Sequence, residues 1–228
     1  MFPLVVETVF LTHKRFGLFG GHDAYHALRV AEIGYKIAIE EWGNERVARM
    51  VALAGLCHNA DRVAQKKLGI GRETPPDDEV KTIISFWLDS ESEIIPLTDR
   101  TEITRAVLEH GGGNSEQDSR VVIALRDADR VVNLELDLPI RSGQHYHDIP
   151  AVDFEYFLVN PTATYREPGS ALRDIAYALD WVDEKSPFCI CTATGRRLGR
   201  ERADALRWFI DTLQKQLRDT DTLSFHVG

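Results

Sequence analysis

Cysteine is scarce in this chain: Cys57, Cys189 and Cys191 are the three among 228 residues. Three thiols build no disulfide framework, and Cys189-Ile190-Cys191 is too tightly spaced for a zinc knuckle. Cys57 lies in an apolar stretch, where a thiol is most simply a core group. Long apolar runs are also missing, and nothing approaches the roughly 20 residues a membrane span needs. The stretch Phe2 to Leu11 is apolar but lacks a basic flank and a small-residue cleavage site, so no targeting segment is expected. Basic residues are in deficit, with 27 Lys and Arg against 36 Asp and Glu and a net charge of −9. That balance argues against general nucleic-acid binding, whose affinity comes from neutralising phosphates. Repeats, low-complexity tracts and an obvious linker are absent. The expectation is a reduced, cytoplasmic, soluble protein with no membrane partner. A small phosphorylated ligand stays compatible with the negative total, because a metal ion and a few local cations outweigh it nearby.

What is present is helical patterning. A hydrophobic content of 43% suits a sizeable core, and 228 residues suit one domain. Phe2, Val5, Val6, Val9 and Phe10 fall on one helical face. After the turn Gly17 to Gly21, Asp23 sits where a carboxylate complements the free N–H groups of a helix running to about Trp42. A third helix runs from Glu45 through His58. Pro75-Pro76 makes Gly69 to Asp78 a loop, and a helix follows through Leu88. Asp99 to Glu102 reads as the capping start of a helix ending at His110. A long apolar helix is expected over Asp118 to Leu136, stopped by Pro139. Beyond it, Gln144 to Asp148 reads as a polar loop and Asp153 to Val159 as a possible helix. Ser170 to Trp181 and Arg200 to Leu217 are expected helices, and Phe188 to Thr194 is a short strand or a loop. The architecture predicted is an all-α, single-domain helical bundle over residues 1–228, with a core at about 20–135 and a helical extension at about 140–228.

Inside this pattern several polar residues face inward. His58 continues the stripe of Val47, Val51 and Ala54, with Asn59 and Asp61 beside it. Buried polar side chains cost free energy unless partnered. A hydrogen-bonded core histidine explains His58 taken alone. His26 continues the stripe of Val30, Ile33 and Ile37, and shares a face with His22. His110 sits on the stripe of Ile103, Ala106 and Val107, where it also suits a helix end. In Leu125-Arg-Asp-Ala-Asp-Arg-Val131, Asp129 lines up with Val122, Leu125 and Val132, and Asp127 with Ile123, Val131 and Leu134. Periodicity leaves both aspartates open, and helical pairing with Arg126 or Arg130 would explain either. An ordinary helical core has no need for inward histidines and an aspartate on three helices. A divalent cation would satisfy them together, since imidazole and carboxylate suit Mn, Mg, Fe, Ni or Zn.

The order HDAYHALRV, LCHNAD, LEHGGGNS and LRDADRVVNL resembles the HD-domain superfamily of metal-dependent phosphohydrolases. The likeness is to the small bacterial branch whose first motif reads His-Asp-x-x-His-x-x-Arg-Val, and it covers about residues 20 to 135. The resemblance implies His26 as the first metal ligand, His58 as the second and Asp129 as the last, with His110 facing the site. One departure stands out: the family's His-Asp doublet is His58-Asn59 here. An amide oxygen can ligate but supplies no negative charge. The departure leaves three options: weaker metal binding through Asn59, a carboxylate supplied by Asp61, or a domain that binds without catalysing.

The activity so implied is hydrolysis of a small phosphorylated molecule, a nucleotide or another phosphoester. The ion would polarise a phosphoryl oxygen and acidify a water, with cationic donors offsetting charge on phosphorus. Arg29, Arg62, Lys66 and Arg130 are the candidate substrate contacts. His22, Asp61 and His110 are the candidate catalytic groups. The Gln144 to Asp148 loop, with His145, Tyr146 and His147, stays outside the site as an ordinary exposed polar segment.

Overall fold

The computed structural model describes residues 2–220 and is all-α; no strand occurs among the described residues. The first helix, α1 (Pro3–Phe16), opens on its proline and buries Val5, Val9 and His13. Helix α2 (Ala24–Trp42) starts where Asp23 caps it, the carboxylate accepting from the His26 amide at 2.7 Å. Helix α3 (Glu45–Cys57) is capped by Asn44 through the Val47 amide. Next come α4 (Ala60–Leu68), α5 (Asp77–Asp89), α6 (Leu97–Glu109) and α7 (Arg120–Val132). The last third carries α8 (Leu138–His145), α9 (Ala171–Tyr177), a 3-10 turn over Ala178–Val182 and α10 (Ala193–Asp219). No helix among the described residues is long and apolar enough to cross a membrane.

Helices α2, α3 and α7 pack against one another at the centre. Two glycines set their spacing. A Cβ on Gly55 would lie 2.7 Å from the backbone N and Cα of Ala31, and one on Gly34 would lie 2.6 Å from Val51 Cγ1. The α2 and α3 backbones therefore approach closely, which larger residues would prevent. Around them Leu56, Ile84, Trp87, Ile103 and Leu125 are fully buried or nearly so. A second apolar cluster gathers Leu134, Leu172, Ile190, Leu198 and Leu206 from the last third. Helix α7 joins the two, with Val132 in the first and Val131 in the second.

Several boundaries differ from the sequence reading. Helix α7 ends at Val132, and Pro139 begins a new helix rather than stopping an old one. Helix α6 starts at Leu97 behind Pro96, so Asp99 lies within its first turn and pairs with Arg46. In place of a helix at 153–159, residues 154–158 form turns, with Phe157 at φ 53°. Helix α10 begins seven residues before Arg200, because Thr192 caps it by accepting from the Gly195 amide at 3.0 Å. Its first turn buries Thr194 and Gly195, small residues that present no apolar stripe. Residues 188–192 are loop.

Candidate metal centre

Three helices deliver three side chains to one point. His26 lies in the first turn of α2, His58 closes α3, and Asp129 sits in the last turn of α7. One donor atom from each lies within 4.8 Å of the other two. His26 Nε2 is 3.2 Å from Asp129 Oδ1, and His58 Nε2 is 3.7 Å from the same oxygen. Both imidazoles are buried, whereas the Asp129 side chain keeps 24% of its surface, so solvent reaches the cluster from its side.

The tautomer of His58 follows from its other nitrogen. Nδ1 lies 2.7 Å from the Gly55 carbonyl, which only accepts, so Nδ1 carries the proton and Nε2 presents a lone pair. That Nε2 is buried, has no hydrogen-bond partner, and faces a carboxylate that is also an acceptor. Burial lowers the His58 pKa to about 3, with Asp129 opposing the shift and His26 and His110 adding to it. A neutral imidazole is thus held against an ionised carboxylate. For Asp129 burial disfavours the charge, but the His26 hydrogen bond and the influence of His58, His26 and His110 outweigh it and hold its pKa far below the usual range.

This donor set fits a divalent cation. Two ligands on one ion at about 2.1 Å stand roughly 3.0–3.5 Å apart, close to the separations found. A cation would give the stranded Nε2 its missing partner, and two imidazoles with one carboxylate are suitable chemistry. The Nδ1–H bond to a backbone carbonyl is the outer contact that ordinarily orients a ligating histidine. Asn59 is also buried, and its Nδ2 has no partner.

Other candidates divide clearly. Asp127 stands two residues from Asp129 and so points the other way round α7. Its carboxylate accepts from the amides of Cys191 and Thr192, at 3.0 and 2.7 Å, and fastens the loop before α10. Burial raises its pKa despite those amides. His110 closes α6, donates Nδ1 to the Val107 carbonyl at 2.6 Å, and stacks edge-on to His58 with ring centres 5.6 Å apart. His22 lies 6.2 Å from His26 between ring centres, in the 3-10 turn Gly20–His22.

Three expectations require correction. Asp61 is outside the donor cluster. The chain turns at Asn59 (φ −86°, ψ 16°) before α4 starts, which breaks the three-residue stripe linking Asp61 to His58, and Oδ1 accepts from the Arg62 amide instead. Arg29 is spent in ion pairs with Glu135 and Asp137 at 2.9 and 2.8 Å. It borders a 330 Å³ cavity whose lining includes none of the three donors. Arg130 is buried and donates to Asn114 Oδ1, Cys189 O and Gly112 O, tying two loops together. Lys66 is exposed in the last turn of α4 and makes no ion pair among the described residues. The charge of Arg62 acts on His22, and Asp129 of the cluster acts on Arg130.

The sequence reading also missed one wall of the site. His145, at the end of α8, stacks edge-on to His22 with ring centres 5.3 Å apart, and Tyr146 beside it is buried. Tyr165, 59% exposed, stands where the carboxylates of Asp129 and Asp174 act to raise its pKa. The available signal was the dense QHYHD stretch; nothing marked Tyr165.

An all-α bundle with two buried histidines and a part-exposed aspartate in one cluster is therefore the class that fold and site define. The chain matches no family model and no curated protein sequence. Among solved structures it is similar to the Lin1889 protein of Listeria innocua, with 18% identity over 95% of this chain and 96% of that one, at a TM-score of 0.61. It is similar also to a Lactobacillus plantarum protein, with 16% identity over 96% and 97% and a TM-score of 0.64. These likenesses show the shared fold.

Proposed function

We propose that this chain is a metal-dependent phosphohydrolase of the HD-domain type, acting on a small phosphorylated molecule such as a nucleotide or another phosphoester. One observation carries the reading: the buried, unpartnered Nε2 of His58 facing the Asp129 carboxylate beside His26. Such an arrangement is costly as a purely structural device and favourable around a cation. The ion, when bound, polarises a phosphoryl oxygen and lowers the pKa of a water.

The chain's own groups supply position and charge. The carbonyls of Gly55 and Val107 fix the tautomers of His58 and His110, leaving each Nε2 free. His110 is suited to hold a proton beside the reacting phosphoryl group, and Arg62 to offset its charge. Partial exposure of Asp129 leaves a path for substrate. A second reading, a domain that binds a nucleotide or a protein without catalysis, is favoured by Asn59, a neutral and incompletely partnered side chain beside the cluster.

The test is elemental analysis of protein purified without chelator, for wild type and His58→Ala, with phosphatase assays on both. About one divalent ion per chain, lost together with activity in the variant, supports the hydrolase. An ion without activity on any phosphoester favours the binding domain. Absence of ion and activity after supplying Mn, Mg, Fe, Ni and Zn sinks the hydrolase and leaves the pocket as a binding site.

A further inference from the structure

We infer that Asn133, itself held by Arg141, is the positioning residue of the Asp129 carboxylate and sets how tightly the cluster holds its cation; this rests on the metal-binding part of the hydrolase reading.

Asn133 follows the last residue of α7 and bonds Asp129 twice. Its backbone N–H donates to the Asp129 carbonyl and its Nδ2 to Asp129 Oδ1, both at 2.9 Å. Oδ1 is the oxygen that faces the two imidazoles, at 3.2 and 3.7 Å. The orientation of the amide is fixed from its other end. Arg141 Nη1 stands 3.0 Å from Asn133 Oδ1, and a guanidinium only donates. The amide oxygen therefore faces Arg141, and Asp129 receives the N–H. Turned over, the amide would set donor against donor at one end and acceptor against acceptor at the other.

Arg141 is placed to hold that orientation. It is buried on α8, donates Nη2 to the Val132 carbonyl at 3.2 Å, and pairs through Nε with Asp137 Oδ1 at 3.1 Å. Asp137 pairs in turn with Arg29 at 2.8 Å, three residues beyond His26 on α2. The contacts close a ring: from Asp129 on α7 through Asn133 to Arg141 on α8, then through Asp137 to α2, and back by way of His26. The ring ties together the helices that carry two of the three donors.

The consequence follows from the exposure of Asp129. Its side chain keeps 24% of its surface, so a carboxylate left unheld would turn toward solvent and have to be ordered when the ion binds. The Asn133 N–H removes that freedom during folding, before the ion arrives. It occupies one lone pair of Oδ1 and leaves another for the cation. A role confined to closing α7 against α8 would alter stability and leave metal binding as it is.

The test titrates cobalt into the chelator-stripped full chain, with calorimetry for affinity and visible absorption for the arrangement of ligands about the ion. Wild type is compared with Asn133→Ala, Arg141→Met, Arg141→Lys and Ser142→Ala. Ser142 neighbours Arg141 and donates to Asp174 at 2.8 Å, so its variant loosens the same helix without touching Asn133. Asn133→Ala is expected to bind cobalt about 10- to 100-fold more weakly, the usual effect of losing an outer partner of a metal ligand, with a changed spectrum. Arg141→Met should weaken binding severalfold, and Arg141→Lys, which retains a donor for the Asn133 oxygen, should recover part of it. Ser142→Ala should keep the wild-type affinity and spectrum. Circular dichroism of each variant establishes that it is folded. Wild-type affinity and spectrum in folded Asn133→Ala overturn the positioning role, and so does equal weakening in Ser142→Ala. Should Asn133→Ala not fold, the Arg141 pair decides: weaker binding in Met than in Lys supports the role, and wild-type binding in Met overturns it. Phosphatase assays on the same samples separate the two ideas. Asn133-dependent cobalt binding without activity supports the positioning role while sinking the hydrolase, and active, metal-loaded protein indifferent to Asn133 overturns the positioning role alone. A wild type that takes up no cobalt overturns both.

Discussion

Gly55→Ala tests the framework that holds the two histidines together. The added Cβ would stand 2.7 Å from the N and Cα of Ala31 and 3.0 Å from the carbonyl carbon of Val30. These are backbone atoms of α2 and cannot rotate aside, so the helices must separate. Overpacking of this kind costs about 3 kcal/mol, and replacing a helical glycine by alanine returns about 1 kcal/mol. The net loss is about 2 kcal/mol, a fall in Tm of roughly 4–8 °C for a chain of this size. Separation also displaces the Gly55 carbonyl that orients His58 relative to His26 on α2, so metal affinity should fall about tenfold or more. Gly143→Ala is the control, since a Cβ there meets nothing within 4 Å inside α8; it should stabilise by up to about 1 kcal/mol. Thermal melts and metal titration of both variants decide the matter. If Gly55→Ala melts at or above wild type with unchanged affinity, the close approach of α2 and α3 does not set the site.

Two further outcomes follow from buried groups. His13 is buried against Trp87 with neither ring nitrogen bonded, and burial lowers its pKa to about 4, partly opposed by Asp23. Between pH 6.5 and 4 the unfolded chain binds a proton that the folded chain refuses, so stability drops as pH falls through that window, by about 2 kcal/mol at pH 5. Urea melts at pH 7.5 and 5 should show a smaller drop for His13→Leu; parallel losses would remove His13 as a cause. Asp127→Ala should cost about 2–4 kcal/mol by stranding the Cys191 and Thr192 amides while bound metal stays at the wild-type level, whereas Asp129→Ala should lose the ion. Denaturation and elemental analysis of the pair check the division, and metal loss in Asp127→Ala would contradict it.

The helices and the inward histidines were legible because period and burial coincide: His26 and His58 end apolar stripes, and both reach the cluster. Asp127 and Asp129 could not be separated from sequence, because α7 is buried on both faces and each aspartate lies on an apolar stripe. The structure parts them by their partners, two amides for one and two imidazoles for the other. Asp61 failed because the stripe argument presumes an unbroken helix, and Asn59 breaks it. Arg29 and Arg130 failed because an arginine's partners come from distant segments, here Glu135 and Asp137 for the first and residues 112–114 and 189 for the second. The His145 wall was passed over because its contact with His22 spans more than 120 residues, a distance periodicity does not see.

One turn of α7 thus faces two ways, with Asp127 fastening the loop that leads into α10 and Asp129 turned toward the histidines. A single residue inserted upstream within this helix would rotate everything beyond it by about 100°, turning both carboxylates from their partners in one event. The helix therefore tolerates exchange of residues but not slippage. A change in its length should appear as joint failure of C-terminal docking and metal retention, never as one without the other.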